Sequence, residues 1–391
     1  MPTQWNPAIA LADVADNTET DTTSAYARLL DECPVGRIDV HGTWGIFGYD
    51  EVLAAVTDVK TFSSVTPVAG ATRMIPLESD PPEHTPYRRM INPFFTAEKM
   101  AELERDIRPF AGQMLDQLVG QGPIDFVAQF ANPFPVRTLC KFLGVPDDDW
   151  QIINDWHRGL VERSGRNEPG RPKRDALFQE IMPYLLSVIQ ERRLALRDDD
   201  IISAILSGNI DGDPLPDEAV IGYIILLLVA GHETTTNALT SIVFRLAQDQ
   251  EFQGYLRAHQ ERIPDAIEES LRIDSPTQAM QRKCLRDVEI GGELIKAGDY
   301  VHLNYGSANV DPSHWTDPAT FDVDRADKRH LAFGRGVHQC FGAPLARLQI
   351  RVVLEELLTR TAAFSVAGEV HRHTWPSYGS DKLVLSLEAV S

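Results

Sequence analysis

The run Phe333-Gly334-Arg335-Gly336-Val337-His338-Gln339-Cys340-Phe341-Gly342 holds the most reactive chemistry in the chain. Its three glycines imply a backbone with positive φ, or one with something pressed close against it. Cys340 stands just before a helical pattern that opens at Pro344. The positive end of that helix and its free N–H groups favour a thiolate over a thiol. A thiolate there is a nucleophile or a metal ligand. As a nucleophile it would have His338 as a candidate base, two residues away. As a metal ligand it suffices alone only when the metal brings its other ligands in a macrocycle. A buried structural cysteine is the third reading, and it leaves the glycines unexplained.

A second cluster is Ala230-Gly231-His232-Glu233-Thr234-Thr235-Thr236. It interrupts a helical pattern that runs from Asp217 to Gln250 without proline. At 1.5 Å per residue, ~34 residues make a rod about 50 Å long. Its first half, Ile221–Ala230, is apolar on every side and so runs through the protein's centre. A glycine and a carboxylate in a buried helix both cost stability. Either they serve a function, or the helix surfaces here and Glu233 faces water. A third cluster is Glu269-Ser270-Leu271-Arg272, whose charged ends share one helix face.

These residues need elements to hold them. Amphipathic spacing predicts helices over Ala97–Leu118, Ala176–Arg193 and Pro344–Arg360. Strand patterns fall at Gly36–Phe47, Asp287–Leu303 and Lys382–Leu387. Breaks at Thr66–Pro82, Ser164–Pro172 and Asp211–Pro216 do not read as linkers. The expectation is a mainly α protein with small β-sheets, forming one domain over residues 1–391. At 391 residues, 43% hydrophobic and 24% charged, the chain can bury a large core, which excludes disordered and disulfide-scaffold classes. Its 37 basic and 57 acidic residues leave a net charge of −20, which argues against nucleic acid or anionic membrane as a partner. Cys33, Cys140, Cys284 and Cys340 form no C-x-x-C pair, consistent with a reducing compartment. Met1–Asp16 lacks a signal-peptide pattern, and Ile221–Ala230 is too short to span a bilayer. A cytoplasmic location is expected.

The cysteine loop matches the haem-thiolate signature of the cytochrome P450 family at every defined position. Three more stretches resemble the family in its order: Ala230–Thr234, its oxygen-activation motif; Glu269–Arg272, its E-x-x-R; and Phe321-Asp322-Val323-Asp324-Arg325, its meander. The resemblance covers essentially the whole chain and looks like the soluble bacterial branch. It implies a long central helix over a haem b (iron protoporphyrin IX). Cys340 becomes the axial iron ligand, and Phe333 packs against the macrocycle. Gly336 and Gly342 avoid strain or collision. His84, Arg88, Arg282 and His338 meet the propionates, with Lys283 and Arg286 competing with Arg282. Gly231 leaves room for dioxygen, while Glu233 and Thr234 relay protons to it through water. His232 departs from the apolar residue expected there, and packing is its expected role. Glu269, Arg272 and Arg325 form a structural ion network.

The implied activity is monooxygenation, by hydroxylation, epoxidation or O-dealkylation of a small, mostly apolar molecule, with terpenoids and aromatics favoured. By family position Val65, Val68, Met74, Ile75, Trp375 and Tyr378 line the pocket, and Arg73 faces solvent. Electrons come from a ferredoxin or flavodoxin with its reductase, docking on Arg89, Arg105, Arg108, Arg335 and Arg347. The protein is expected to be a monomer. The alternatives are a haem-thiolate sensor, and a peroxide-driven or isomerase-type enzyme without a redox partner.

Overall fold

The computed structural model describes residues 22–38, 43–66, 72–164, 174–198, 200–373 and 375–390. More than half of the chain is helical. Val68 and the segment before residue 22 lie outside the described residues. The chain divides into two compact units: Met1–Thr66, Arg108–Ala131 and Thr234–Ser391 form one, and Pro67–Ile107 with Asn132–Glu233 the other.

The larger unit contains the sheets. A five-stranded sheet has the order Val35–Arg37, Trp44–Ile46, Tyr300–Asn304, Ala279–Cys284 and Phe62–Ser63. Trp44–Ile46 and Tyr300–Asn304 pair in parallel, and the other neighbours are antiparallel. Leu303, Val301, Ile46 and Phe62 carry this sheet onto a buried cluster with Val52, Trp315 and Leu331. A second sheet pairs Thr361–His373 with Gly379–Ala389, and Gly379–Ala389 with Pro123–Asp125. The sequence pattern marked the second of these strands. It did not mark Thr361–His373, where polar Glu369, His371 and Arg372 obscure the alternation.

Two helices of this unit dictate where the cysteine loop sits. Ile263–Ile273 buries Ala266, Ile267, Glu269, Leu271 and Arg272. Ala343–Arg360 buries Leu348, Ile350, Val353, Leu354 and Leu357 on the expected face. Glu269 is 5% and Arg272 1% exposed, yet both are satisfied. Arg272 Nε and Nη2 donate to the two Glu269 carboxylate oxygens at 2.9 and 2.8 Å. Arg325 Nε donates to Glu269 Oε1 at 3.1 Å. Arg272 Nη1 donates to the Asn309 carbonyl at 2.7 Å. The ion network read from the sequence is therefore present.

In the smaller unit, Asp217–Ala230 is buried continuously from Gly222 to Leu228. Gly222 is required there: a Cβ would stand 2.1 Å from the Arg73 carbonyl. Tyr223 donates to the carbonyl of Tyr87 on the helix His84–Ile91. The expected unbroken rod is instead two helices, Asp217–Ala230 and Glu233–Gln248, with Gly231 and His232 in a turn between them. The reason is local: glycine is a weak helix former, and the following Glu233 starts a new first turn, where a carboxylate is favoured. The run Asp217–Gln248 is apolar enough to pass a membrane-span test, but 67% of its most apolar window is buried inside the protein. It reads as a core helix.

Glu269→Ala should strand Arg272 in the interior and cost about 3–5 kcal/mol. Denaturant titration of the two proteins, with equal slopes, measures the difference; a loss below ~1 kcal/mol would exclude a buried ion network of this kind.

Candidate haem-thiolate site

The cysteine loop begins at a neck. Cys340 N–H donates to the Phe333 carbonyl at 2.8 Å, and Gly334 N–H donates to the Leu331 carbonyl at 2.8 Å. Between them the chain bulges, and Gly334 and Gly336 take φ of 62° and 72°. Only glycine adopts these values cheaply. Gly336 also presses on the end of the helix Tyr49–Thr57, where a Cβ would be 3.5 Å from Thr57 Cα. Gly342 has an ordinary φ of −77°, so the expected strain is absent there. A Cβ at Gly342 would instead stand 3.7 Å from Cys340 Sγ.

Cys340 is the one exposed cysteine of the four; Cys140 and Cys284 are buried and Cys33 half-buried. Burial raises the thiols of Cys33, Cys140 and Cys284, that of Cys140 to about 12. They are inert by comparison. Helix Ala343–Arg360 opens three residues after Cys340 with Pro344 in its first turn and no side chain capping it.

The loop is clamped from both ends by Glu268, a residue the sequence reading did not single out. Its carboxylate accepts from Arg347 Nε and Nη2 at 2.6 and 2.7 Å, and pairs with His330 Nε2 at 3.1 Å. Arg347 and His330 hold the Glu268 carboxyl down at about 2, against the opposing effect of burial. The Arg347 guanidinium lies 4.5 Å over the Phe333 ring, fixing that side chain. Asn309 supplies a third tie: its Oδ1 accepts from Leu331 N–H at 2.6 Å, while its carbonyl receives Arg272. No spacing signal marks Glu268 or Asn309; each is recognisable only through its folded partners.

Arg282 is 3% exposed. Nη1 donates to the Gln281 carbonyl at 2.8 Å, and the side chain hydrogen-bonds the buried Tyr305 hydroxyl. Among the described residues no carboxylate pairs with it. A buried cation with only neutral partners is costly unless an anion completes it. Tyr305 is also the cysteine loop's neighbour: a Cβ on Gly334 would be 3.5 Å from its hydroxyl. Lys283 and Arg286 are placed differently. Lys283 lies further along the strand Ala279–Cys284, and Arg286 reaches Thr61 and Asp58. Exposed thiol, glycine-built loop and buried cation fit a haem and its carboxylates. His338 stands in the same loop, in a short 3-10 turn.

In the smaller unit, His84 and Arg88 share a face of the helix His84–Ile91. His84 is 3% exposed, and burial plus the Arg88 charge lower its imidazole to about 4. At Gly231 a Cβ would meet the Leu227 carbonyl at 2.9 Å and Leu139 Cδ1 at 3.1 Å. Protein packing therefore accounts for this glycine by itself. His232 is 2% exposed; its Nε2 donates to Asn132 Oδ1 at 2.6 Å, and its ring meets that of His157 at 4.6 Å. Packing is its role. His157 also hydrogen-bonds the Val229 carbonyl, and the Glu233 charge acts on it. Glu233 and Thr234 follow in the first turn of the next helix, partly exposed.

Several other readings change. Arg73 is not a free solvent-facing cation: it pairs with Glu83 at 2.9 Å and donates to the Glu78 carbonyl at 2.8 Å. Arg108 is held by Glu355 and Glu356, and Arg347 by Glu268, so neither offers an uncompensated charge to a partner. Arg89 and Arg105 are exposed. Trp375 packs on the cluster of Ala25, Tyr26, Leu29, Phe47 and Val310, and Tyr378 is buried beneath Arg372. Val65 and Met74 are half-buried and Ile75 is buried.

The family model for cytochrome P450 matches residues 168–384. The chain is 34% identical over 341 residues to the putative cytochrome P450 YjiB of Bacillus subtilis, covering 85% of this chain and 86% of that one. It is 32% identical over 350 residues to the cyclomarin C epoxidase CymV of Salinispora arenicola, covering 86% and 87%. Among solved structures, a mutant of P450 EryK in complex with erythromycin B superposes with a TM-score of 0.87 at 30% identity, covering 96% and 98%.

Burial holds His232 neutral, lowering it from 6.5 to about 3. The unfolded chain thus binds the extra proton between these values, so stability rises with pH across that window. Denaturation midpoints should fall as pH drops from 6.5 toward 3. The fall should be shallower in His232→Gln; identical slopes would show that His232 is not the group titrating.

Proposed function

The chain belongs to the cytochrome P450 family, and from that premise we propose a haem b monooxygenase whose iron is held by Cys340. As a P450 it is an oxidoreductase that inserts oxygen into small organic molecules. Bacterial relatives generally draw electrons from a ferredoxin or flavodoxin. The single observation carrying the site assignment is the clamped loop that holds the exposed Cys340, with Gly334 of that loop against Tyr305, the partner of the buried Arg282. When bound, the haem supplies reductive activation of dioxygen, with thiolate donation favouring O–O cleavage.

The chain's own residues do the rest. Arg282 and His338 would neutralise the haem carboxylates, the role that the family resemblance also assigns to His84 and Arg88. Charge-assisted hydrogen bonds orient the macrocycle as well as bind it. Phe333, held by Arg347, would pack against the macrocycle. The Glu268 and Glu269 ties hold the loop that carries the sulfur. Thr234 would hold a proton at its hydroxyl, and the partly exposed Glu233 would exchange protons with solvent.

For the substrate, the half-buried Val65 and Met74 favour an apolar molecule of terpenoid or aromatic class. The relatives named for cyclomarin C and solved with erythromycin B support a second reading, a substrate akin to those compounds. Titrating the haem absorption band with terpenoids, aromatics, fatty acids and erythromycin B separates the two, since a bound substrate would displace iron-bound water and shift the band. Electron delivery to a cytoplasmic monomer through the exposed Arg89 and Arg105 and the half-buried Arg335 completes the proposal, with association slowing as salt rises.

Cys340→Ser should abolish the red-shifted thiolate carbonyl band while leaving far-ultraviolet circular dichroism intact; persistence of that band would remove Cys340 as the ligand. Thr234→Ala should keep haem and substrate binding but divert reducing equivalents to hydrogen peroxide. Product formed per reductant consumed reads this directly, and an unchanged ratio would exclude the relay.

A further inference from the structure

A polar cavity of about 350 Å³ lies in the larger unit, apart from every residue assigned to the haem. Ser241, Phe244 and Arg245 line it from the helix Glu233–Gln248, Asp274 from the end of the E-x-x-R helix, and Arg372 and Tyr378 from the C-terminal hairpin.

Its chemistry is cationic and incomplete. The Arg372 guanidinium packs on two rings, 4.9 Å from that of Phe244 and 4.5 Å from that of Tyr378. Its Nε and Nη2 are buried and have no hydrogen-bond partner among the described residues. The Nε–Nη2 edge is the parallel N–H fork which receives a carboxylate side-on. Arg245 spends Nη2 on Asp274 at 2.8 Å, but its Nε is also buried and has no partner among the described residues. The same holds for the hydroxyl of Ser241, 1% exposed. Buried donors in native proteins are nearly always satisfied, so so many in one cavity indicate a missing acceptor. Two guanidiniums against one carboxylate leave a single positive charge to balance. A monoanion balances it, whereas a dianion would bring excess negative charge beside Asp274.

We propose that this cavity binds a small organic carboxylate, held by the Nε–Nη2 edge of Arg372 and assisted by Arg245 and Ser241. The site spans the second half of the helix whose first turn carries Thr234, and it abuts the E-x-x-R helix. A carboxylate there would bind the folded state alone and stabilise it by mass action.

The test is thermal unfolding of the haem-loaded protein, followed by circular dichroism at constant ionic strength, with acetate, benzoate or inorganic phosphate replacing chloride. Acetate and benzoate should raise the midpoint saturably. Arg372→Gln should raise the half-saturating concentration about tenfold or more. Arg372→Lys, which keeps the charge but not the fork, should also weaken it. The haem absorption spectrum of each variant verifies that it is folded and loaded, and acetate should leave that spectrum unchanged. Should Arg372→Gln not fold, Ser241→Ala tests the opposite wall, with about threefold weakening expected. Carboxylate stabilisation that is absent, or equal in the native and variant proteins, overturns the proposal. So does a phosphate effect that exceeds the carboxylates and disappears with Arg372.

Discussion

Two adjacent carboxylates, Glu268 and Glu269, hold the reactive loop of this protein, and they do it from one turn of one helix. Glu269 faces inward and ties Arg272 and Arg325 into the interior. Glu268 faces the loop and ties Arg347 behind it and His330 before it. The helix therefore distributes three guanidiniums and one imidazole to two sides. Asn309 joins the halves, receiving Arg272 at its carbonyl and Leu331 at its side chain. A loop of glycines has no intrinsic reason to hold one conformation. Here its rigidity is borrowed from buried charge pairs, which are expensive to form and more expensive to break singly.

The smaller unit also buries an ion pair, Arg192 with Asp200. Its central helix is apolar once past Asp217 and Glu218, and the next polar stretch comes where that helix ends. Gly231 and His232 form the turn, and Asn132 and His157 absorb the imidazole. The departure at His232 is thus solved by a neutral hydrogen-bonded pair in the interior, not by an ion pair.

Much of this was legible in the sequence, for physical reasons. The cysteine loop could be read because its glycines are forced by backbone geometry, and Gly334 and Gly336 show the positive φ that demands them. The Glu269–Arg272 pair could be read because three residues bring side chains together on any helix. What could not be read involves partners far apart in the chain. Glu268 is one more acidic residue in an acidic protein until Arg347 folds back on it. Tyr378 and Trp375 looked like pocket aromatics by position, yet one lies under Arg372 and the other on the first described helix. Arg73 and Arg108 looked solvent-facing until their carboxylates were in place. The helix break was missed because periodicity scores the faces of a helix and is blind to a two-residue turn that preserves them.

Arg282 has a consequence beyond orientation. Among the described residues its buried guanidinium leans only on a peptide carbonyl and a phenol. The polypeptide alone carries the free-energy cost of that charge as part of its folded state. If the haem carboxylates meet Arg282 as proposed, they relieve the cost, and the tightness of cofactor retention and the thermal endurance of the polypeptide become one quantity seen from two sides. Starvation for haem would then register first as a shorter lifetime of the protein itself, with the cell's proteases reading out an unneutralised charge.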